Sequence, residues 1–355
     1  MSTCTLLDIA LGRNVPLSTG IFKAVQTETP ALLAFDVRTT EDTKFQTLAM
    51  TSLPTAGGFV KMNEGFSSGN VGLMMREFDA KLAGGKVQYD VIQANRWDAA
   101  HKNSGTTWDE IQTMGRMVAE MKHLEKCLFY GTAFDEDAFP GLKELTPYGT
   151  PLGLSDDPGA NDFVTTVINA GGTTSSTASS AYSICFGEMD AQLVVCNDSG
   201  GELFTQTEPV KQHVAPDSTQ PAKTKEHILF DIYGWFGLSV CGMNQTPNGV
   251  VPTQYAVRRL ANLTNDSGKG LNDYKLEALC RSHGNNKTPN LIIANGRSGI
   301  QWGESKRATA VTAFLGGPGN AANNTVHLSI PRPDNYNGIP VIYTNAITST
   351  EAINS

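Results

Sequence analysis

Between residues 107 and 130 the chain reads TWDEIQTMGRMVAEMKHLEKCLFY, and Trp108, Ile111, Met114, Val118, Met121, Leu124 and Leu128 recur at steps of three and four. That spacing lines one stripe of an α-helix. Thr106 or Thr107 ahead of Asp109 and Glu110 gives it an acidic start, where oxygens meet unpaired N–H groups, and Gly131 gives it a stop. At 1.5 Å per residue the helix is about 35 Å long. The methionines of its stripe read as core packing.

Upstream the period changes to two. Within Arg76–Ile92, Phe78, Ala80 and Leu82 alternate with Asp79 and Lys81, and Val87, Tyr89 and Val91 alternate with Gln88 and Asp90. Together with Thr47–Met62, which Gly57 and Gly58 interrupt, this predicts two strand-like arms around a loop over residues 46–92. Val87, Tyr89 and Val91 form the covered face, with Lys86, Gln88 and Asp90 outward. A two-stranded ribbon is marginal alone in water and needs a partner surface. Residues 1–45 hold one short helical pattern (Leu6, Leu7, Ile9, Ala10) and then an irregular stretch with Pro16 and Pro30. They read as an arm that must dock on something else.

After about residue 150 strands and helices intersperse without a regular alternation. Ala170–Ser183 (AGGTTSSTASSAYS) reads as a loop or linker. Short strands are expected at Ser183–Phe186 and Gln192–Cys196, with a turn at Asp198–Gly201. The β-branched and aromatic run His227–Val240 predicts a strand, Leu271–His283 an amphipathic helix, and Asn290–Asn295 a buried strand. A helix at Ser298–Leu315 precedes strands at Thr325–Ile330 and Pro340–Ile347. The fold class is α+β.

Composition sharpens this. Charged residues are 17% of the 355, against about 25% in an average domain. Low charge with ordinary complexity suggests a surface that meets other protein. The net charge of -8 argues against a dedicated nucleic-acid module, which needs a concentrated basic patch. The longest uncharged apolar stretch, Ile232–Met243, carries three glycines and falls short of the roughly 20 residues that span a bilayer. With no basic, apolar leader pattern, the expectation is a soluble, non-secreted chain. The six cysteines, Cys4, Cys127, Cys185, Cys196, Cys241 and Cys280, read as reduced small hydrophobes without metal-ligand spacing.

Candidate chemistry is sparse. Gly65-Phe66-Ser67-Ser68-Gly69 matches a nucleophile pattern, but its flanks are polar where a buried strand and a helix are required, so it reads as a loop tip. Asp135-Glu136-Asp137 lacks the spacing of a calcium loop and reads as a solvated acidic turn. His101, His123, His213, His227, His283 and His327 show no H-x-x-x-H or H-x-E arrangement, and Gly316-Gly317-Pro318-Gly319 lacks the lysine of a phosphate loop. No catalytic residue, cofactor or metal site is expected.

The order of these pieces, an arm, a long ribbon, one long helix and a mixed remainder ending in strands, resembles the major capsid proteins of tailed bacteriophages. Four segments are similar to the epsilon-fifteen-like subfamily: Leu53–Gly65, Leu124–Leu142, Tyr233–Val240 with Tyr255–Thr264, and Asn337–Ala352, where Asn345 replaces the usual aspartate. The resemblance implies a Hong Kong 97-like fold: N-terminal arm (1–45), extended β-hairpin loop (46–92), peripheral domain with a spine helix at about 107–130 (93–150), mainly axial domain (151–315) and C-terminal strands returning to the peripheral domain (316–355). It implies a shell of hexamer and pentamer capsomers around double-stranded DNA, held without sequence-specific binding and with no membrane. The virion head would assemble in the bacterial host cytoplasm, with a portal, a separate scaffolding protein and a decoration or cement protein as partners. Lys61, Glu64, Arg76, Lys86 and Tyr89 are the candidate contacts between subunits. Some relatives crosslink through lysine and asparagine; Lys61, Lys81 and Lys86 lie on the ribbon, and no crosslink is assigned. The alternatives are an encapsulin-type nanocompartment shell, a serine hydrolase using Ser67, and a β-rich adhesion module.

Overall fold

The long helix forms where its local signals put it. In the computed structural model it spans Trp108–Tyr130, the side chain of Thr107 accepts from the Glu110 backbone N–H, and Glu110 reciprocates on the Thr107 N–H. That reciprocal box satisfies two donors the first turn leaves open. The structure describes residues 27–52, 58–62, 64–66, 68–100, 107–144, 167–187, 190–196, 204–214, 225–240, 242–243, 254–283, 287–314 and 332–353. The chain turns back after Tyr130 at Gly131, where φ is +50° and a Cβ would stand 2.0 Å from the Gly141 nitrogen. Only glycine fits there. The returning segment then donates from Leu142 and Lys143 to the carbonyls of Leu128 and Phe129.

Short elements precede this helix: α1 (Pro30–Ala34), β1 (Val37–Thr40), β2 (Lys44–Ser52), β3 (Gly72–Asp79), β4 (Lys81–Asp90) and α2 (Val91–Ala100), so that the spine helix is α3. After it come β5 (Val167–Asn169), β6 (Ser179–Ile184), β7 (Ala191–Cys196), β8 (Thr205–Gln206), β9 (Val210–Val214), β10 (Lys225–Val240), β11 (Gly242–Met243), β12 (Gln254–Tyr255) and β13 (Val257–Leu263). The series closes with α4 (Asp273–Arg281), β14 (Leu291–Asn295), α5 (Gly296–Phe314), β15 (Asn335–Tyr336) and β16 (Ile339–Thr344).

Among the described residues two larger sheets carry the body. One runs β1-β7-β10-β4, with β8 and β9 also on β10. The other runs β15-β16-β14-β6-β13-β5. A first apolar core joins them through the last turns of α3: Leu124, Leu128 and Phe129 pack in one cluster with Leu193 and Phe236 of the first sheet and Tyr182 and Ile293 of the second. A second cluster seats Leu276, Leu279 and Trp302 of α4 and α5 on Leu260, Ile292 and Val341. The class is α+β, as the sequence predicts.

Four expectations are corrected. The ribbon does not extend to residue 92. Only β2 and β3 pair with each other, Lys44 opposite Asp79 through Ser52 opposite Gly72, whereas β4 pairs antiparallel with β10 over Lys81–Asp90. Gly84 makes that close pairing feasible, since a Cβ there would meet the Ile232 carbonyl at 2.3 Å. Val87 and Tyr89 face the chain's own core, and Val91 opens α2, whose start Asp90 caps by accepting from Ile92 N–H at 2.8 Å. Second, residues 29–40 do not wait for an outside partner: Ala31, Leu32 and Phe35 are fully buried, and β1 pairs parallel with β7. The helical pattern at Leu6–Ala10 lies outside the described residues.

Third, the serine-rich linker at Ala170–Ser183 is only half loop. Its second half is β6, buried at every position between β13 and β14. Its serine hydroxyls are satisfied in place: Ser179 by Ser298 and the Leu263 carbonyl, Ser180 by Glu351, and Ser183 by His283. Buried hydroxyls with partners cost little, which is why a polar strand survives in the centre of a sheet. Fourth, Asp135 is not merely solvated; it takes a 2.8 Å bond with His123 Nε2. The strand expected at Thr325–Ile330 lies outside the described residues.

Candidate assembly interface

The β2–β3 hairpin leaves the body at Ala80, whose N–H donates to the Thr43 carbonyl at 2.7 Å. At its base Phe45 and Phe78 stack across the strands, centroids 5.4 Å apart, and Lys44 reaches Glu77 at 2.9 Å. These charges are solvent-exposed, so the ladder and the ring pair fix the register and the ion pair adds little. Further out, six described apolar side chains of the hairpin and its loop are exposed. Val71, Leu73 and Met75 share one face by period two, each exposed. Phe59, Met62 and Phe66 of the connecting loop are at least 86% exposed. Large apolar side chains exposed together on one element are a feature of interaction surfaces.

At the loop, Lys61 and Glu64 come together in one turn: Glu64 N–H donates to the Lys61 carbonyl at 3.0 Å, and its carboxylate accepts from Lys61 N–H at 3.3 Å. Arg76 lies on β3 opposite Thr47. Lys86 is exposed on β4, 3.9 Å from Asp231 of β10. Tyr89 stands apart from them. It is buried and donates its hydroxyl to Asp109 of α3 at 3.0 Å, so its ring is spent inside the chain and is withdrawn from the contact set.

Two buried polar clusters hold the body from which the hairpin projects. Glu125, 1% exposed on α3, accepts from Ala31 N–H at 2.9 Å and also binds Leu32 N–H and the Thr344 hydroxyl. It therefore caps α1, whose own Thr29 makes no side-chain cap, and burial pushes its carboxyl up to about 7 against those bonds. Glu125→Ala should cost about 2–4 kcal/mol by orphaning buried donors, and Glu125→Gln clearly less, since it keeps an acceptor. Equal denaturation midpoints for Glu125→Ala and the parent would refute the capping role. In the second cluster Arg259 and Glu351 pair at 2.9 Å with side chains 1% and 2% exposed, and Tyr130 donates to Glu351 at 2.6 Å. This joins β13, the end of α3 and the closing segment of the chain.

Possible reaction centres were also located. Ser183 Oγ lies 2.6 Å from His283 Nε2, and Cys185 Sγ 3.5 Å from His283 Nδ1, but all three are at most 1% exposed and sealed from solvent. Ser67 lies outside the described residues; Gly65, Phe66, Ser68 and Gly69 beside it form neither the strand nor the helix that a nucleophile elbow needs. No described helix is long and apolar enough to cross a membrane. His123, Cys127 and Asp135 bring three donor atoms within 4.8 Å of one another. The sequence held that signal in a spacing of four between His123 and Cys127, which a search for paired histidines or paired cysteines passes over.

No protein-family model matches the chain, and no curated protein matches it. Solved structures do. A chain of bacteriophage epsilon15, in its near-atomic-resolution cryo-EM structure, matches with a TM-score of 0.50 and 13% identity over 89% of this chain and 86% of that one. A chain of the bacteriophage JBD30 procapsid gives 0.39 and 13% over 93% and 97%, and one from Mycobacterium phage Cain 0.42 and 10% over 72% and 96%. The first of these matches falls on the phage that the sequence segments resemble, and the chain has the fold of that epsilon15 chain.

Proposed function

We propose that the chain is the major capsid protein of a tailed bacteriophage, with a Hong Kong 97-type fold, which assembles into the icosahedral head shell around double-stranded DNA. The observation that carries this reading is the β2–β3 hairpin, an element on which the described apolar side chains Phe59, Met62, Phe66, Val71, Leu73 and Met75 stand exposed. In a closed shell every copy supplies that element to a neighbour and receives one, so each contact is repeated by symmetry. The shared fold with the epsilon15 chain supports the same reading.

On this reading Lys61, Glu64, Arg76 and Lys86 lie on surfaces that meet neighbouring subunits. The arm is the stretch ahead of β2, docked on the body of its own chain from Ala31 through β1, with α3 the spine of a peripheral domain and the sheet around β6 and β13 the axial domain. Portal, scaffolding and decoration proteins are the expected partners, and the finished virion is the expected location after assembly in host cytoplasm. The chain is structural, not catalytic. Its net charge of -8 gives DNA little counterion release to gain by sticking to the wall.

Electron microscopy of the full chain expressed with its neighbouring phage proteins tests this. Closed, uniform shells that package DNA are expected. Shells filled instead with an enzyme cargo would favour a nanocompartment, and a solitary monomer at every concentration would overturn the proposal.

A further inference from the structure

We propose that His123, Cys127 and Asp135 form a binding site for one zinc-type divalent metal ion. His123 and Cys127 stand four residues apart on α3, so they project from the same face one turn apart. Asp135 comes from the turn that follows the helix, returned to it by the Gly131 reversal and by the bond from Asp135 N–H to the Gly131 carbonyl at 3.1 Å. Imidazole nitrogen, thiolate sulfur and carboxylate oxygen are the donor types of a zinc site. All three donor atoms lie within 4.8 Å of one another. Tetrahedral bonds of about 2.0–2.3 Å put neighbouring donors roughly 3.3–3.8 Å apart, so closure asks for about an ångström of side-chain movement.

The three residues also line a cavity of about 240 Å³ between α3, the start of β4 and the segment 135–139. Glu120 and Asp137 line the same cavity. The cavity leaves room for water as a fourth ligand beside the protein's three, Glu120 being ion-paired with Arg116. Lys81 is the cation on the cavity wall, on the β4 side. On binding, the Cys127 thiol gives its proton to solvent and ligates as thiolate. The metal would fasten the last turns of the spine helix to the segment that leaves it.

Cobalt(II) titrated into the purified full-length chain is the probe. One equivalent should produce a thiolate-to-cobalt charge-transfer band with intense tetrahedral d–d bands, and zinc should displace both. Cys127→Ser should abolish the charge-transfer band, while Cys196→Ser, altering a buried thiol elsewhere, should keep it. His123→Ala and Asp135→Asn should each weaken cobalt binding by more than the about 10–100-fold that losing an outer-shell partner costs. His123 is partly exposed, so its variant serves if Cys127→Ser fails to fold. A folded parent chain without the charge-transfer band, or a band that survives in Cys127→Ser, would overturn the site. The readout is on the subunit itself and is indifferent to whether shells form.

Discussion

Replacing Phe59, Met62 and Phe66 together with serine is expected to leave the subunit folded and to stop it closing into particles. These side chains touch little of their own chain: each is at least 86% exposed, so their removal leaves no cavity and orphans no buried group. Thermal unfolding should shift by less than a degree or two, as for ordinary surface changes. In the shell each would be buried against a neighbour, where a large apolar side chain stabilises by about 1.5–3 kcal/mol. Three lost at one contact come to roughly 4.5–9 kcal/mol, a drop of at least a thousandfold in that contact's association constant. Sedimentation of the assembly mixture would show soluble subunits in place of shells. Normal particles from the triple variant would mean that the loop is not a contact surface.

Glu351→Ala is expected to damage the fold itself. It strips the partner from Arg259, whose side chain is 1% exposed and which also donates to Ser180 at 2.9 Å. A buried charge deprived of its counter-ion costs about 3–5 kcal/mol. Arg259→Met should cost a similar amount from the other side. The double variant Arg259→Met with Glu351→Leu should recover much of the loss, because a buried pair replaced by apolar side chains is close to neutral. Tyr130 keeps a partner in the double variant, since its hydroxyl also meets Thr348 Oγ1 at 3.0 Å. The test is a double-mutant cycle by denaturant unfolding: losses that simply add would show that the two residues do not act as a unit.

What the sequence made legible is what neighbouring residues decide. The spine helix, its Thr107 box and its Gly131 stop are all encoded within a few positions, and the structure agrees at both ends. The strand at 227–240 and the helices at 271–283 and 298–315 were read in the same way and stand within a few residues of their expected bounds. What escaped depends on distant partners. That β4 belongs with β10 and not with the hairpin is a fact of pairing across some 140 positions, and alternation alone cannot say which strand a strand will meet. Only the end of β6 was visible, in the strand expected at Ser183–Phe186, because the serines and alanine before it look like linker until a sheet closes over them. Glu125 has no local signature at all; its task is set by Ala31, 94 residues away. Asp90 did carry a local cap signal, but the regular alternation of Val87, Tyr89 and Val91 masked it.

The junction at Ala80 has a mechanical consequence. On its far side β3 is one of only two paired strands, while on its near side β4 is built into a six-stranded sheet beneath α3. Stiffness thus falls across the base of the hairpin, where Phe45 is still buried against the body, and the outer part can swing as an oar does in a rowlock. With eight residues in β3, at about 3.4 Å each, a tilt of roughly 10° at the pivot sweeps the far end through about 5 Å. Chemically identical copies could in this way reach neighbours set at unequal angles, as flat and sharply curved parts of one surface demand, without altering a single contact within the body.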